Sequence, residues 1–221
     1  MRVLSIDFDF FQDIPMDVIS KYPDGIDLPQ DISNLVWAAR INNYSDSFQK
    51  VEFDEDNFFN LLSVLGKQKH DIPVCICNSH IMAYFFIHEL IVKTLDTKIN
   101  LTNIDLHHDM DNANEYLDCG NWIGFLLRET LVKAFRWVAK PLSQQMYELN
   151  DEEFHSFHGT LDFAEITKGY DAIFICRSDP WLLPRFDGYF DKLVSFCQSH
   201  FSNIKIQEVD KPRRLPKIKS R

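Results

Sequence analysis

The sequence predicts an α/β fold, a three-layer α/β/α sandwich around a mainly parallel sheet. Three observations carry this. Short apolar runs alternate with helical patterns along the chain. The runs at 72–77 and 170–176 are apolar at nearly every position, as in strands buried on both faces. Acids and histidines gather just after such runs, where open parallel sheets bind their ligands.

In order, residues 2–11 (RVLSIDFDFF) read as a first strand. Residues 58–65 are helical, with Asp54 or Asp56 to cap the start and Gly66 to end it. A buried strand at 72–77 leads through Ser79 into a long helix over 81–95, then a strand over 99–106. The pattern at 121–134 is helical, 134–139 extended, 170–176 a core strand, 188–201 a helix and 203–209 an edge strand. There is no repeat or low-complexity linker, and seven glycines among 221 residues leave no Gly/Ser hinge. A single domain over 1–210 is expected, followed by a basic, flexible tail at 211–221.

With 45% hydrophobic residues and 19 Phe, the chain can bury a sizeable core, which excludes disorder for most of it. No apolar run reaches the ~18 residues of a membrane span. Asp7 and Asp9 break the first apolar stretch, so no signal peptide is expected and the protein is read as soluble and cytoplasmic. The net charge is −10, and six bases without an acid in 211–221 leave 17 bases against 33 acids elsewhere. Such an acidic body argues against nucleic acid and suits cations. The five cysteines form no CxxC pair, and Cys75, Cys77 and Cys176 lie in apolar runs, as reduced core thiols do.

Three motifs carry chemistry. In Ser5-Ile6-Asp7-Phe8-Asp9, two aspartates two apart on a strand share a face among apolar neighbours, a conflict that a bound cation removes. In Asp105-Leu106-His107-His108-Asp109, alternation on an extended backbone aims Asp105, His107 and Asp109 one way. His108 then faces elsewhere, at the surface or behind the ligands, and Asp111 is a helix cap or a bracing acceptor. In Asn78-Ser79-His80, the histidine stands at a strand's carboxyl end. His70, His88, His155, His158 and His200 lack such a setting. Four aspartates and two histidines suffice for two ions roughly 3.5–4 Å apart. The oxygen-rich set suits Mn²⁺, with Zn²⁺, Fe²⁺ and Co²⁺ as competitors.

These motifs resemble those of the ureohydrolase superfamily, the arginases and agmatinases. Cys119-Gly120-Asn121-Trp122-Ile123-Gly124 is similar to that family's substrate loop. The Asp-x-Asp strand comes first here, and a late Ile175-Cys176-Arg177-Ser178-Asp179-Pro180-Trp181 follows, an order that resembles the peptide arginase branch. The resemblance implies an arginase-like fold, two Mn²⁺ ions and an arginine-containing, ribosomally made precursor peptide, whose arginines become ornithine with release of urea. It implies His80, Asp105, Asp109 and Asp7 on one ion, and Asp105, His107, Asp7 and Asp9 on the other, with Asp105 and Asp7 bridging. A hydroxide between the ions would attack the guanidinium carbon, with Asp109 as the catalytic proton carrier. Asn121 would hold substrate polar groups, its alternative being a helix N-cap. Asp179 would clamp the guanidinium, its alternative being a turn residue before Pro180. The family's loop histidine is Ile123 here, so another group, such as His108 or His158, would shuttle protons, or the step would rely on solvent. Oligomers are common in that superfamily.

Other functions stay open on the sequence. The nearest is a small-molecule guanidino hydrolase acting on free arginine or agmatine. A haloacid dehalogenase-type phosphotransferase would explain Asp7 and Asp9 but not Asp105, His107 and Asp109. A single-zinc deacetylase needs fewer acids. A non-catalytic binding protein would not need the full ligand set.

Overall fold

The computed structural model describes residues 1–23, 27–95, 97–111, 115–167, 169–209 and 213–217. Strand β1 (Arg2–Asp7) leads into a 3₁₀ turn (Phe8–Phe11), a short strand β2 (Gln12–Asp13) and helix α1 (Met16–Ile19). Helix α2 (Gln30–Gln49), strand β3 (Glu52–Phe53) and helix α3 (Glu55–Leu65) follow. Next come β4 (Pro73–Cys77), α4 (Met82–Thr94), β5 (Ile99–Ile104), α5 (Trp122–Arg128) and β6 (Val132–Val138). The chain continues through α6 (Pro141–Met146), α7 (Asp151–Ser156), β7 (Gly159–Thr160), β8 (Ala172–Cys176), α8 (Asp187–His200) and β9 (Asn203–Ile206).

Seven strands form one sheet in the order β7-β6-β5-β1-β8-β4-β9. Every pairing in it is parallel, and β2 and β3 form a separate antiparallel pair. Strand alternation divides the core in two. Leu4, Ile6, Val74, Ile76, Ile173 and Ile175 pack with Trp37 of α2, Phe58 and Leu61 of α3, and Phe190 and Leu193 of α8. Val3, Cys75, Cys77, Leu101, Phe174 and Cys176 point the other way, against Ala83 and Ile87 of α4 and Trp122 and Ile123 of α5. The molecule is thus a three-layer α/β/α sandwich. Its cysteines form no disulfide, and Cys75, Cys77 and Cys176 are buried. Among the described residues, no helix is long and apolar enough to cross a membrane.

Several boundaries differ from the sequence expectation. The first strand stops at Asp7, because the Asp7 carboxylate accepts the Asp9 N–H at 3.3 Å and turns the chain into the 3₁₀ segment. The strand expected over 99–106 ends at Ile104. The helix expected over 121–134 ends at Arg128, where Thr130 takes a left-handed φ of 58° and β6 begins at Val132. Helices α1, α2, α6 and α7 are not expected from the sequence. Asp54 does cap α3, its Oδ1 accepting the Asn57 N–H at 3.1 Å. The basic tail falls partly outside the described residues, but Arg213 is not loose. It is buried, its guanidinium sits on the Asp187 carboxylate, and it donates to the Asp179 carbonyl at 3.0 Å.

Candidate metal centre

Four adjacent strands, β5, β1, β8 and β4, send their carboxyl ends to one place. Asp105, His107 and Asp109 follow β5, Asp7 ends β1 and Asp9 follows it, and His80 follows β4 just ahead of α4. The shared facing expected from strand alternation is not how the chain gathers these residues. A 3₁₀ turn follows Asp7, and β5 ends at Ile104, so turns rather than strand alternation bring the acids together. Asp105 Oδ1 accepts the His107 N–H at 2.8 Å, and Asp109 has a φ of 53°. All six expected ligands nonetheless converge.

His80 Nδ1 lies 3.0 Å from Asp7 Oδ2, 3.2 Å from Asp105 Oδ2 and 3.0 Å from Asp109 Oδ2. His107 Nδ1 lies 3.1 Å from Asp9 Oδ2 and 3.6 Å from Asp105 Oδ1. Two groups have ligand atoms within 4.8 Å of one another, Asp7–His80–Asp105 and Asp9–Asp105–His107, and they share Asp105. These buried clusters can hold a metal ion, and an independent observation fits. Both Asp9 oxygens, His80 Nδ1 and His107 Nε2 are buried without a hydrogen-bond partner. Buried polar atoms are rarely left so. Neighbouring ligands at metal–ligand distances of roughly 2.1 Å lie about 3 Å apart, which is the spacing around His80 Nδ1.

The cluster's electrostatics point the same way. Burial, reinforced by Asp9 and Asp105, pushes the Asp7 carboxyl up to about 7. Burial and Asp105 push Asp109 up to about 7, and the same two causes raise Asp9. Burial opposes a charge on His80, but Asp109, Asp105 and Asp7 outweigh it and raise its pKa well above the usual value. For Asp105, burial is outweighed by the neighbouring His107 and His80 side chains, and its pKa falls. Without a cation these groups must hold protons to coexist.

Outer contacts fix the ligands. Ser5 Oγ lies 2.8 Å from His80 Nε2, which leaves Nδ1 facing the acids. Trp122 Nε1–H donates to Asp109 Oδ2 at 2.6 Å, and Asn103 Nδ2–H to Asp105 Oδ2 at 3.1 Å. The start of α5 grips Asp109 from behind, the Ile123 N–H donating to its carbonyl at 3.0 Å.

A cavity of about 430 Å³ opens on the cluster, within the usual size range for small-molecule sites. Asp7, His80, His107 and Asp109 reach it, as do Asp27, His108, Asp111, Cys119, Gly120, Tyr147, Ser178, Pro180 and Trp181. Asp9 and Asp105 are not among its lining residues. His108 lines it, its ring 4.3 Å from Tyr147 and its Nδ1 accepting the Met110 N–H at 3.0 Å.

Two expected substrate residues do not line the cavity. Asn121 is fully buried, its amide accepting the Asp118 N–H and donating to the Tyr116 carbonyl. It stands at the N-cap of α5 but makes no side-chain cap bond. Asp179 is buried in a two-point ion pair with Arg177, at 2.5 and 2.9 Å. His158 occupies a left-handed turn before β7, also off the cavity. Sequence reasoning passed over Asp27, Tyr147 and Trp181. Trp181 had a usable signal, its place just beyond a strand's carboxyl end. Asp27 and Tyr147 come from segments with no such mark.

Comparison with family models, curated proteins and solved structures returns no match.

Proposed function

We propose that the protein is a binuclear manganese hydrolase of guanidino groups, acting on arginine side chains of a ribosomally made peptide to give ornithine and urea. The observation that supports it most is Asp105, common to two Asp/His groups whose unpaired ligand atoms are buried side by side. Asp7, His80, Asp105 and Asp109 would hold one ion, and Asp9, Asp105 and His107 the other. The bound ions would supply Lewis-acid activation of water at neutral pH.

The chain's own residues do the rest. Asp109 accepts a proton as water adds to the guanidinium carbon, then delivers it to the nitrogen that stays on the side chain. The carbon–nitrogen bond to that nitrogen breaks, the proton left on the added hydroxyl passes to the departing amine, and the products are urea and a protonated amine. Trp122 holds Asp109 in one orientation throughout. The cavity's carboxylates and its Tyr147 and Trp181 rings suit a planar cation.

The test is incubation of the Mn²⁺-loaded protein with an arginine-containing peptide and, separately, with free arginine. Urea release and the mass loss of guanidine-to-amine conversion in the peptide are expected. Asp105→Ala should lose metal at both positions and turnover with it. Urea from free arginine alone would favour the small-molecule alternative. Turnover by Asp105→Ala would overturn the site.

A further inference from the structure

We infer that Asp27, in the segment ahead of α2, is the residue that binds the substrate's cationic head and sets the preference for charged over neutral side chains. This rests on the guanidine-hydrolase proposal and names the recognition element of that same cavity.

Four observations lead to it. First, among the described residues the cavity lining contains several carboxylates but no lysine or arginine, and its histidines His80 and His107 are engaged with the converging acids. Second, the acid expected from the sequence to clamp the guanidinium, Asp179, already grips the chain's own Arg177 and is off the cavity. Third, Asp27 is an exposed cavity-lining residue that belongs to neither group of converging ligands. Fourth, it is held in place by neutral donors. The Ser79 hydroxyl donates to Asp27 Oδ2, and the Cys119 thiol also bonds its carboxylate. Ser79 adjoins His80 in the chain, and Cys119 lies in the loop ahead of α5. Asp27 is therefore tied to both walls that carry the ligands. Neutral donors orient the carboxylate without forming an ion pair with it, which leaves it to pair with a cationic ligand. A guanidinium is the cation whose planar N–H edge pairs best with it.

Asp111 is the competing acid, since it too lines the cavity. The experiment must therefore separate the two. The Mn²⁺-loaded full chain would be mixed rapidly with N-acetyl-arginine methylamide or its neutral isostere N-acetyl-citrulline methylamide. Binding would be read from tryptophan fluorescence before turnover. The wild type should prefer the arginine probe by roughly ten- to hundredfold, the range of one charge-assisted hydrogen-bonded contact. Asp27→Asn should bring that preference close to unity while binding Mn²⁺ as the wild type does, and Asp27→Glu should restore part of it. Asp111→Asn should keep most of it.

A full preference in Asp27→Asn would overturn the inference. So would the absence of preference in the wild type, or its complete loss in Asp111→Asn. Binding is scored without urea. A protein that discriminates through Asp27 yet releases no urea would refute the proposed reaction and leave the cation site standing. Urea release with unaltered discrimination in Asp27→Asn would do the reverse.

Discussion

Trp122 is fully buried, and its indole N–H donates to Asp109 Oδ2 at 2.6 Å. A neutral donor there fixes the carboxylate's rotation and favours its charged form. Trp122→Phe keeps an aromatic ring in the core but removes the donor. Hydrogen bonds to charged groups are worth about 1.5–3 kcal/mol. We expect kcat to fall about tenfold or more, with Mn²⁺ content and KM nearly unchanged and the acidic limb of the pH–rate profile moved upward. Metal analysis beside steady-state kinetics checks this, and an unmoved profile would reduce Trp122 to packing. The six ligands themselves were legible in the sequence, because acids and histidines stood close together at the ends of apolar runs. Trp122 was not. Its role depends on the loop before α5 folding back on residue 109, a contact across 13 positions that no spacing rule reports. Asn121 and Asp179 misled for the converse reason. Each has the right chemistry at the right end of the sheet, but their side chains are bonded within the protein.

The join between α5 and β6 carries a testable strain. Thr130 is exposed and has a φ of 58°, while the Leu131 N–H returns to the Leu126 carbonyl at 3.0 Å to close the helix. A left-handed conformation costs an L-residue about 1–2 kcal/mol. Glycine escapes that cost but loses about 0.5–1 kcal/mol through its freer unfolded chain. Thr130→Gly should therefore stabilise the fold slightly, raising Tm by roughly 1–4 °C without altering metal content. A fall in Tm by calorimetry would show that the threonine makes a compensating contact. The core strands and helices α3, α4 and α8 were legible because their buried positions recur with a regular period, as Ala83, Ile87 and Leu90 do in α4. Helix α2 was not. Of its twenty residues, only Ser33, Trp37, Ala38 and Phe48 are buried, and Tyr44 interrupts it with a φ of −130°. Its anchors are tertiary, notably the Trp37 N–H on the Asp179 carbonyl at 2.7 Å, and such bonds leave no apolar period behind.

At the scale of the whole molecule, the buried cluster couples stability to pH, and the direction can be worked out. Asp7 and Asp109 are raised in the fold from 3.8 to about 7. Between about pH 4 and 7 the folded chain keeps protons there that the unfolded chain has released, so stability falls as pH rises through that window. His80 and His107 are raised well above 6.5 in the fold. Their contribution is complete below 6.5 and is lost as pH rises through the folded values. Asp105 is lowered, so its contribution is present above 3.8 and disappears only in stronger acid. The metal-free protein should therefore lose Tm between pH 5.5 and 8. A divalent ion reverses this dependence, because it takes the place of the protons and binds better as they leave. The rise in Tm produced by excess Mn²⁺ over EDTA should be larger at pH 8 than at pH 5.5, and binding should release protons measurably in weakly buffered calorimetry. Asp105→Ala should remove the Mn²⁺-induced rise at every pH, since both groups lose their common ligand. A Mn²⁺ increment that ignores pH would mean that the ion binds elsewhere. A metal-free Tm that climbs from pH 5.5 to 8 would mean that the cluster holds its acids ionised without a cation.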